Sequence, residues 1–211
     1  MGCFRRSVFH QRPTVFDGLR ANISMMEKLG AQFNLDDPKP YFIQSCKKKV
    51  YIIPDVPHLI KLARNCLVEY GEIVVPGFAT PAKWSYIASL YEFQKDAGTR
   101  LMGNKLTKKH IEYVRYKMRV PFATQVLSSS VADALDFLRE RGVSEFQGSE
   151  ATADFCRRLT TDLMFWTPVA TKQTETECQL LLELRTFFVV FELGRSREKA
   201  SRLWRKIGYV L

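Results

Sequence analysis

The pattern of hydrophobic residues in this 211-residue chain changes near residue 75, and that change restricts the folds it can adopt. Before residue 75, short β-branched or aromatic runs alternate with stretches of helical spacing. The runs at Thr14–Phe16 and 50–53 predict strands, and the stretches that follow them predict helices. From residue 76 to about residue 168 only helical spacing recurs. The sequence therefore predicts an α/β region followed by a mainly α-helical region.

Residue types that begin helices divide the helical region further. A Ser or Thr hydroxyl can accept a hydrogen bond from a free N–H of the first helical turn. Four such starts precede apolar periodic stretches, at Thr80, Thr107, Ser128 and Ser149. The helix that starts at Thr107 is expected to carry Ile111, Val114 and Met118 at helical spacing. We predict domains at 1–75 and 76–168, and a divergent basic tail at 169–211.

Positive charge is concentrated in two segments of the chain. The formal net charge is +10, from 32 Lys and Arg against 22 Asp and Glu. Residues 100–119 hold seven basic residues and one acidic residue, and residues 195–206 hold six basic residues and one acidic residue. Each segment is either a solvated helix face or a contact for a polyanion such as nucleic acid or nucleotide phosphate. Five scattered cysteines without a C-x-x-C pair favour a reducing compartment, the cytosol or nucleus.

Two acidic positions follow the predicted strands. Asp17 comes directly after the first strand, where α/β sheets present reactive groups, and a carboxylate there can hold Mg²⁺. Asp17-Gly18 is equally an ordinary turn. Asp55 and His58 lie at the second strand-to-helix junction, where they form either a helix cap or a support for a neighbouring metal carboxylate.

A loop at residues 98–107 resembles a phosphate-binding loop without matching it. Asn104 separates the second glycine from Lys105, and Leu106 separates Lys105 from Thr107. A helix stretch precedes this loop, whereas a true phosphate loop follows a strand. Lys105 beside a helix start at Thr107 is still a possible anion site, because helix N-termini present free N–H groups.

Three segments together resemble P-element-type transposases, the group whose members often begin with a THAP zinc finger. They are residues 53–65, residues 103–111, and residues 127–138 with 149–152. Their order and spacing agree with the family over roughly residues 13–165. The resemblance implies part of an RNase H-like catalytic sheet joined to a helical GTP-binding insertion domain. That architecture agrees with the change of pattern near residue 75.

The resemblance also implies site residues. Asp17 is similar to the family's second catalytic aspartate, a ligand of Mg²⁺, and Asp55 and His58 match the D-x-x-H element that follows it. A second set falls near positions that line the phosphates and sugar of GTP, namely Lys105, Arg119, Val120 and Ser128. The implied cofactors are Mg²⁺ and GTP. The implied partners are transposon DNA ends and a further copy of the chain. The implied location is the nucleus, and no membrane is implied.

This chain departs from the family pattern at several places. Only sixteen residues precede Asp17, where the family has its first catalytic aspartate, and the catalytic glutamate and zinc finger are not found. Where relatives carry Phe-Asp-x-x-Asn to recognise guanine, this chain reads Leu-Met-Phe-Trp-Thr at residues 163–167. We therefore expect a fragment of a transposase that is inactive alone. The alternative is a non-catalytic module, derived from a transposon, that binds nucleic acid or nucleotide.

Overall fold

The computed structural model of this chain describes residues 14–16, 20–32, 39, 41–45, 47–75 and 77–164. For residues 16, 20, 53, 54 and 161–164 it describes the backbone only. The contacts divide into two compact units, Met1–Asp55 and Val56–Leu211. The domain limits predicted from the sequence stay predictions. The β-prone run at 186–191 and the basic segment at 195–206 lie outside the described residues.

The first unit contains a small mixed sheet in the order β1-β3-β2. Its elements are β1 (Thr14–Phe16), α1 (Arg20–Lys28), β2 (Tyr41–Ile43) and β3 (Lys49–Pro54). β1 runs parallel to β3 with Thr14 opposite Ile52, and β2 runs antiparallel to β3 with Tyr41 opposite Tyr51. Val50 and Ile52 are buried, as the two-residue alternation of a half-buried strand requires.

The predicted strands at residues 14–16 and 50–53 are confirmed by β1 and β3. The sequence did not indicate β2, because Pro38 and Pro40 directly before it are typical of a loop. Tyr41 on β2 packs edge-on against Tyr51 with ring centroids 5.8 Å apart, and Lys49 Nζ lies 4.3 Å from the Tyr41 ring centroid. Cross-strand contacts of this kind stabilise a short strand that its own sequence leaves undefined.

The second unit is mainly helical, as predicted. Its helices are α2 (Val56–Tyr70), α3 (Trp84–Ala97), α4 (Lys108–Ile111), α5 (Val120–Val126), α6 (Ser129–Glu140) and α7 (Glu150–Met164). Single 3₁₀ turns lie at Leu101–Gly103, Tyr113–Tyr116 and Ser144–Phe146. A two-stranded antiparallel ladder joins β4 (Glu72–Ile73) to β5 (Ala82–Lys83).

The core of this unit forms where α6 packs along α7 and α2 packs on α5. Leu135 on α6 is fully buried, and Phe155 and Leu159 on α7 are almost fully buried. These side chains follow the helical spacing that the sequence predicted for the helices starting at Ser128 and Ser149. At the rim of the same contact, the Arg157 guanidinium of α7 bonds Asp133 at 2.9 Å and Asp136 at 2.8 Å on α6.

The predicted helix start at Thr80 is wrong. α3 begins at Trp84, because Ala82 and Lys83 pair with β4 as a strand. The Thr80 hydroxyl instead donates to the Gly148 carbonyl at 3.5 Å. The Lys83 N–H donates to the Thr152 hydroxyl at 2.9 Å, so the residue before α3 is hydrogen-bonded to α7. A two-residue strand leaves no periodic signal in the sequence.

The predicted helix that carries Val114 and Met118 after Thr107 is also wrong. The helix that follows Thr107 ends at Ile111, and Val114 and Met118 are 73% and 72% exposed. One continuous helix through this region would reach Pro121, which has no N–H for the interior of a helix. Pro121 instead lies in the first turn of α5, where the missing N–H costs nothing.

Candidate functional site

The corner between α5 and α6 is organised by Ser128. Its hydroxyl accepts from the Val131 N–H at 3.4 Å and donates to the Gln125 carbonyl at 3.0 Å, which confirms the predicted helix cap. The hydroxyl of Ser130 lies 3.1 Å from that of Ser128. Two hydroxyls therefore lie together at the first turn of a twelve-residue helix, where backbone N–H groups are free to bind an anion.

Helix α7 contacts this corner near its C-terminal end. The Thr160 hydroxyl lies 2.9 Å from both the Leu127 carbonyl and the Cys156 carbonyl, so one proton is shared between them. Cys156 Sγ lies 4.0 Å from the Val126 carbonyl, and burial raises the pKa of this thiol to about 12, so it stays protonated. α7 continues from Thr160 to Met164. The stretch compared with the guanine-recognition residues therefore begins within one turn of a residue that touches Leu127.

An aspartate lies directly before that stretch. Leu163 and Met164 are the last residues of α7, and residues 165–167 lie outside the described part of the chain. Asp162 immediately precedes Leu163, and the structure describes its backbone only. The comparison with the guanine-recognition residues began at Leu163 and therefore left this aspartate out.

The loop that carries Lys105 is shaped by a buried asparagine. Asn104 is 1% exposed, its Nδ2 donates to the Leu101 carbonyl at 2.8 Å, and its Oδ1 accepts from the Leu106 N–H at 3.1 Å. Leu106, the residue after Lys105, is also buried, so exposed Lys105 lies between two buried residues. The 3₁₀ turn at the start of this loop packs against α6, the helix that Ser128 caps.

His110 joins the short helix α4 to α5. Its ring is 1% exposed, and Nδ1 lies 3.0 Å from the Thr107 nitrogen and 2.9 Å from the Thr107 hydroxyl. A backbone N–H can only donate, so Nδ1 is unprotonated and Nε2 donates to Gln125 Oε1 at 2.8 Å. Burial lowers the pKa of His110 below 6.5, which agrees with a neutral ring. α4 has only four residues and Thr107 is engaged by His110, and the anion site predicted for Lys105 at this helix start stays a prediction.

Arg119 and Val120 lie at the start of α5. Arg119 is exposed in an extended conformation, its N–H donates to the Tyr116 carbonyl at 3.0 Å, and Val120 is half-buried as the first helical residue. The turn before them is bonded to α2. Arg64 Nη2 donates to the carbonyls of Lys117 at 3.0 Å and Tyr116 at 3.4 Å.

The four residues compared with the GTP site therefore lie on elements that contact one another. The loop of Lys105 packs on α6, α4 is bonded to α5, and the α5–α6 corner is bonded to α7. The side chains supply two exposed cations, Lys105 and Arg119, and the hydroxyl of Ser130, since the Ser128 hydroxyl already donates to the Gln125 carbonyl. Ammonium, guanidinium and hydroxyl donors suit the oxygens of a phosphate group. The donor set therefore fits an anionic ligand.

The residues compared with the catalytic centre are only partly described. Asp17 and Gly18 lie outside the described residues. Asp55 is half-buried between β3 and α2, and His58 is half-buried in the first turn of α2. Within the described ranges, no three or more His, Cys, Asp or Glu side chains are grouped so that they could hold a metal ion. The roles of Asp17, Asp55 and His58 stay predictions.

The basic segment at 100–119 is a surface. Its seven basic side chains are all exposed, namely Arg100, Lys105, Lys108, Lys109, Arg115, Lys117 and Arg119. Two of them form ion pairs, Lys108 with Glu112 at 3.4 Å and Lys117 with Glu69 at 2.6 Å. The exposed Val114 and Met118 lie among them. Across the part of the chain that the structure describes, no helix is both long and apolar enough to span a bilayer.

Comparisons with known proteins agree on one family. A family model described as TNP-like, GTP-binding insertion domain matches residues 57–165, more than half of the chain. Human DNA transposase THAP9 is 26% identical over 146 residues, which cover 68% of this chain and 16% of that protein. The structure titled Drosophila P element transposase strand transfer complex shares 18% identity and a TM-score of 0.66, covering 93% of this chain and 46% of its own. The chain thus spans less than half the length of each.

Proposed function

Because this chain belongs to the family of TNP-like, GTP-binding insertion domains, we propose that its residues 57–165 bind a guanine nucleotide. The resemblance to P-element-type transposases that its sequence motifs indicated is confirmed by the family model and by both similar proteins. The chain is accordingly related to transposases. Binding of DNA transposon ends, self-association and a nuclear location stay predictions.

The observation that carries the proposal is the family match over residues 57–165, within which the loop before Lys105 packs on α6, α4 is bonded to α5, and the α5–α6 corner is bonded to α7. Lys105 and Arg119 supply exposed donors for phosphate oxygens, and Ser128 caps the first turn of α6. Asp162 is the acidic residue next to the place compared with the guanine-recognition residues, and a carboxylate can accept both from the ring N–H and from the amino group of guanine. Adenine lacks that pair of donors, so a carboxylate here favours GTP over ATP.

Titration with a fluorescent GTP analogue, with ATP as competitor, tests the proposal on the full chain. We expect micromolar binding that GTP displaces better than ATP. Lys105→Met and Asp162→Asn should each weaken GTP binding about tenfold or more, since each removes a charged partner. Lys109→Met is the matched control, because Lys109 is exposed on α4 and has no proposed role in nucleotide binding. Equal, weak binding of ATP and GTP would refute the proposal.

Nucleic-acid binding is a second candidate, favoured by the exposed basic segment at 100–119. Seven exposed cations can neutralise several phosphates, and the log of the affinity then falls steeply with the log of the salt concentration. Apolar side chains such as Val114 and Met118 can contact exposed base surfaces between those phosphate contacts. Arg115→Glu should reduce binding of duplex DNA, and Arg141→Glu, an exposed arginine outside the segment, is the control. A flat salt response would contradict this candidate.

We do not extend the strand-cleavage chemistry of the intact family to this chain. Mg²⁺ ions supply Lewis-acid activation of the scissile phosphate and of the attacking oxygen. Two such ions need carboxylates from several strands, and the sequence identifies only Asp17 as a metal ligand. The identified residues do not fit a two-metal centre. We therefore propose that the 211 residues alone do not cut DNA.

A further inference from the structure

Arg64 on α2 is a fully buried arginine whose contacts are all neutral in the described part of the chain. It is 0% exposed, its Nε donates to Asn65 Oδ1 at 2.8 Å, and its guanidinium lies 5.7 Å from the Tyr113 ring centroid. Its Nη1 has no hydrogen-bond partner among the described residues. Burying a charge without a carboxylate partner is costly, so a side chain that only fills space would serve better here.

Arg64 acts on the backbone just before the proposed nucleotide site. Its Nη2 bonds the carbonyls of Lys117 and Tyr116, and Tyr116 also accepts from the Arg119 N–H at 3.0 Å. A second link joins the same turn to α2, because Lys117 Nζ pairs with Glu69 at 2.6 Å. That ion pair is exposed and contributes little, whereas the Arg64 side chain that makes the other link is fully buried.

We infer that Arg64 is a positioning residue that fixes, through the carbonyls of residues 116 and 117, where Arg119 and Val120 lie in the nucleotide site. This inference rests on the proposed guanine-nucleotide binding. Arginine suits the task because its planar fork bonds two carbonyls and Asn65 at once, whereas the lysine ammonium is a point charge on a flexible stem. A turn held in place before binding needs less ordering when the nucleotide arrives.

Comparing Arg64→Met with Arg64→Lys separates the effect of the side chain's shape from the effect of its charge. Arg64→Met removes every donor and the buried charge, so we expect the thermal midpoint to be retained or raised while GTP affinity falls about tenfold or more. Arg64→Lys keeps the charge and restores part of the affinity. Glu69→Gln removes only the exposed link and should bind GTP like the wild type.

Amide hydrogen exchange over residues 113–126 is a readout that needs no nucleotide. We expect Arg64→Met to raise exchange there while α6 and α7 keep their protection. A folded Arg64→Met protein with wild-type GTP affinity and wild-type exchange would overturn the inference. If the wild type binds no GTP, the proposed function fails, but unchanged exchange would still overturn the positioning role. If Arg64→Met does not fold, the same two measurements on Arg64→Lys decide, with wild-type values overturning the inference.

Discussion

Asn104, His110 and Ser128 determine the backbone around the proposed site, each by hydrogen bonds to atoms of the main chain or of a neighbouring helix. Asn104 bonds residues within three positions of itself, and Ser128 does the same at the start of α6. His110 also reaches Gln125, fifteen residues away. A local bond follows from residue type and spacing, so the Ser128 cap was predicted. The partner of His110 depends on how α4 and α5 pack, which spacing does not reveal.

His110 predicts a specific dependence of stability on pH. Its pKa in the folded protein lies below the ordinary value of 6.5, so between those two values the unfolded chain binds more protons. The stabilisation is fully present above pH 6.5 and is lost as the pH falls toward the folded pKa. Protonation would also place a proton on Nδ1, which accepts from the Thr107 N–H.

Urea denaturation of the full chain at pH 7.5 and pH 5.5 measures this effect, with His110→Gln as the comparison that no longer titrates at this position. We expect the free energy of unfolding of the wild type to fall more between the two pH values than that of His110→Gln. Equal losses would show that other groups, and not His110, carry the pH dependence.

At the scale of elements, long helices with strong periodicity were predicted, whereas of the short elements β1 was predicted and β2, β4 and β5 were not. α6 and α7 show both a polar start and a regular buried face, so their existence follows from the sequence. β4 and β5 have two residues each and exist only because they pair with each other across residues 74–81. The end of α4 at Ile111 was missed because Val114 and Met118 continue the helical spacing although the backbone does not.

The difference between α6 and the turn after α4 gives a second prediction. Leu135→Ala should lower the free energy of unfolding by about 2–5 kcal/mol, because it leaves a cavity in the contact between α6 and α7. Val114→Ala should change it by no more than about 0.5 kcal/mol, because Val114 is exposed. Urea denaturation of both variants measures the difference. A loss at Val114 as large as that at Leu135 would mean that the turn is packed in solution.

At the scale of the whole molecule, the change of pattern near residue 75 predicted the fold class but not the assembly of a site. The candidate GTP residues come from a loop and the starts of two helices between residues 105 and 128, and Asp162 comes from a fourth element. Nothing in hydrophobic spacing joins these four places. The resemblance to transposases selected them, and the structure adds that α4 packs on α5 and α6 packs on α7.

The incomplete carboxylate set predicts the behaviour of the whole chain with DNA. The purified 211-residue chain should not nick supercoiled plasmid in Mg²⁺ or Mn²⁺, since two-metal cleavage needs more ligands than Asp17. Gel analysis of plasmid topology measures this, and Asp17→Ala is the control for contaminating nuclease. Nicking by the wild type that Asp17→Ala abolishes would show that a catalytic centre is present after all.

The buried neighbours of Lys105 have a consequence for how this family can diverge. Because Asn104 and Leu106 hold the loop, the exposed position between them can change its charge at almost no cost in stability. Nucleotide affinity can therefore be lost or regained by a single substitution while the scaffold persists. Relatives that keep the asparagine and the leucine but vary at residue 105 are therefore expected to keep the fold after losing nucleotide binding.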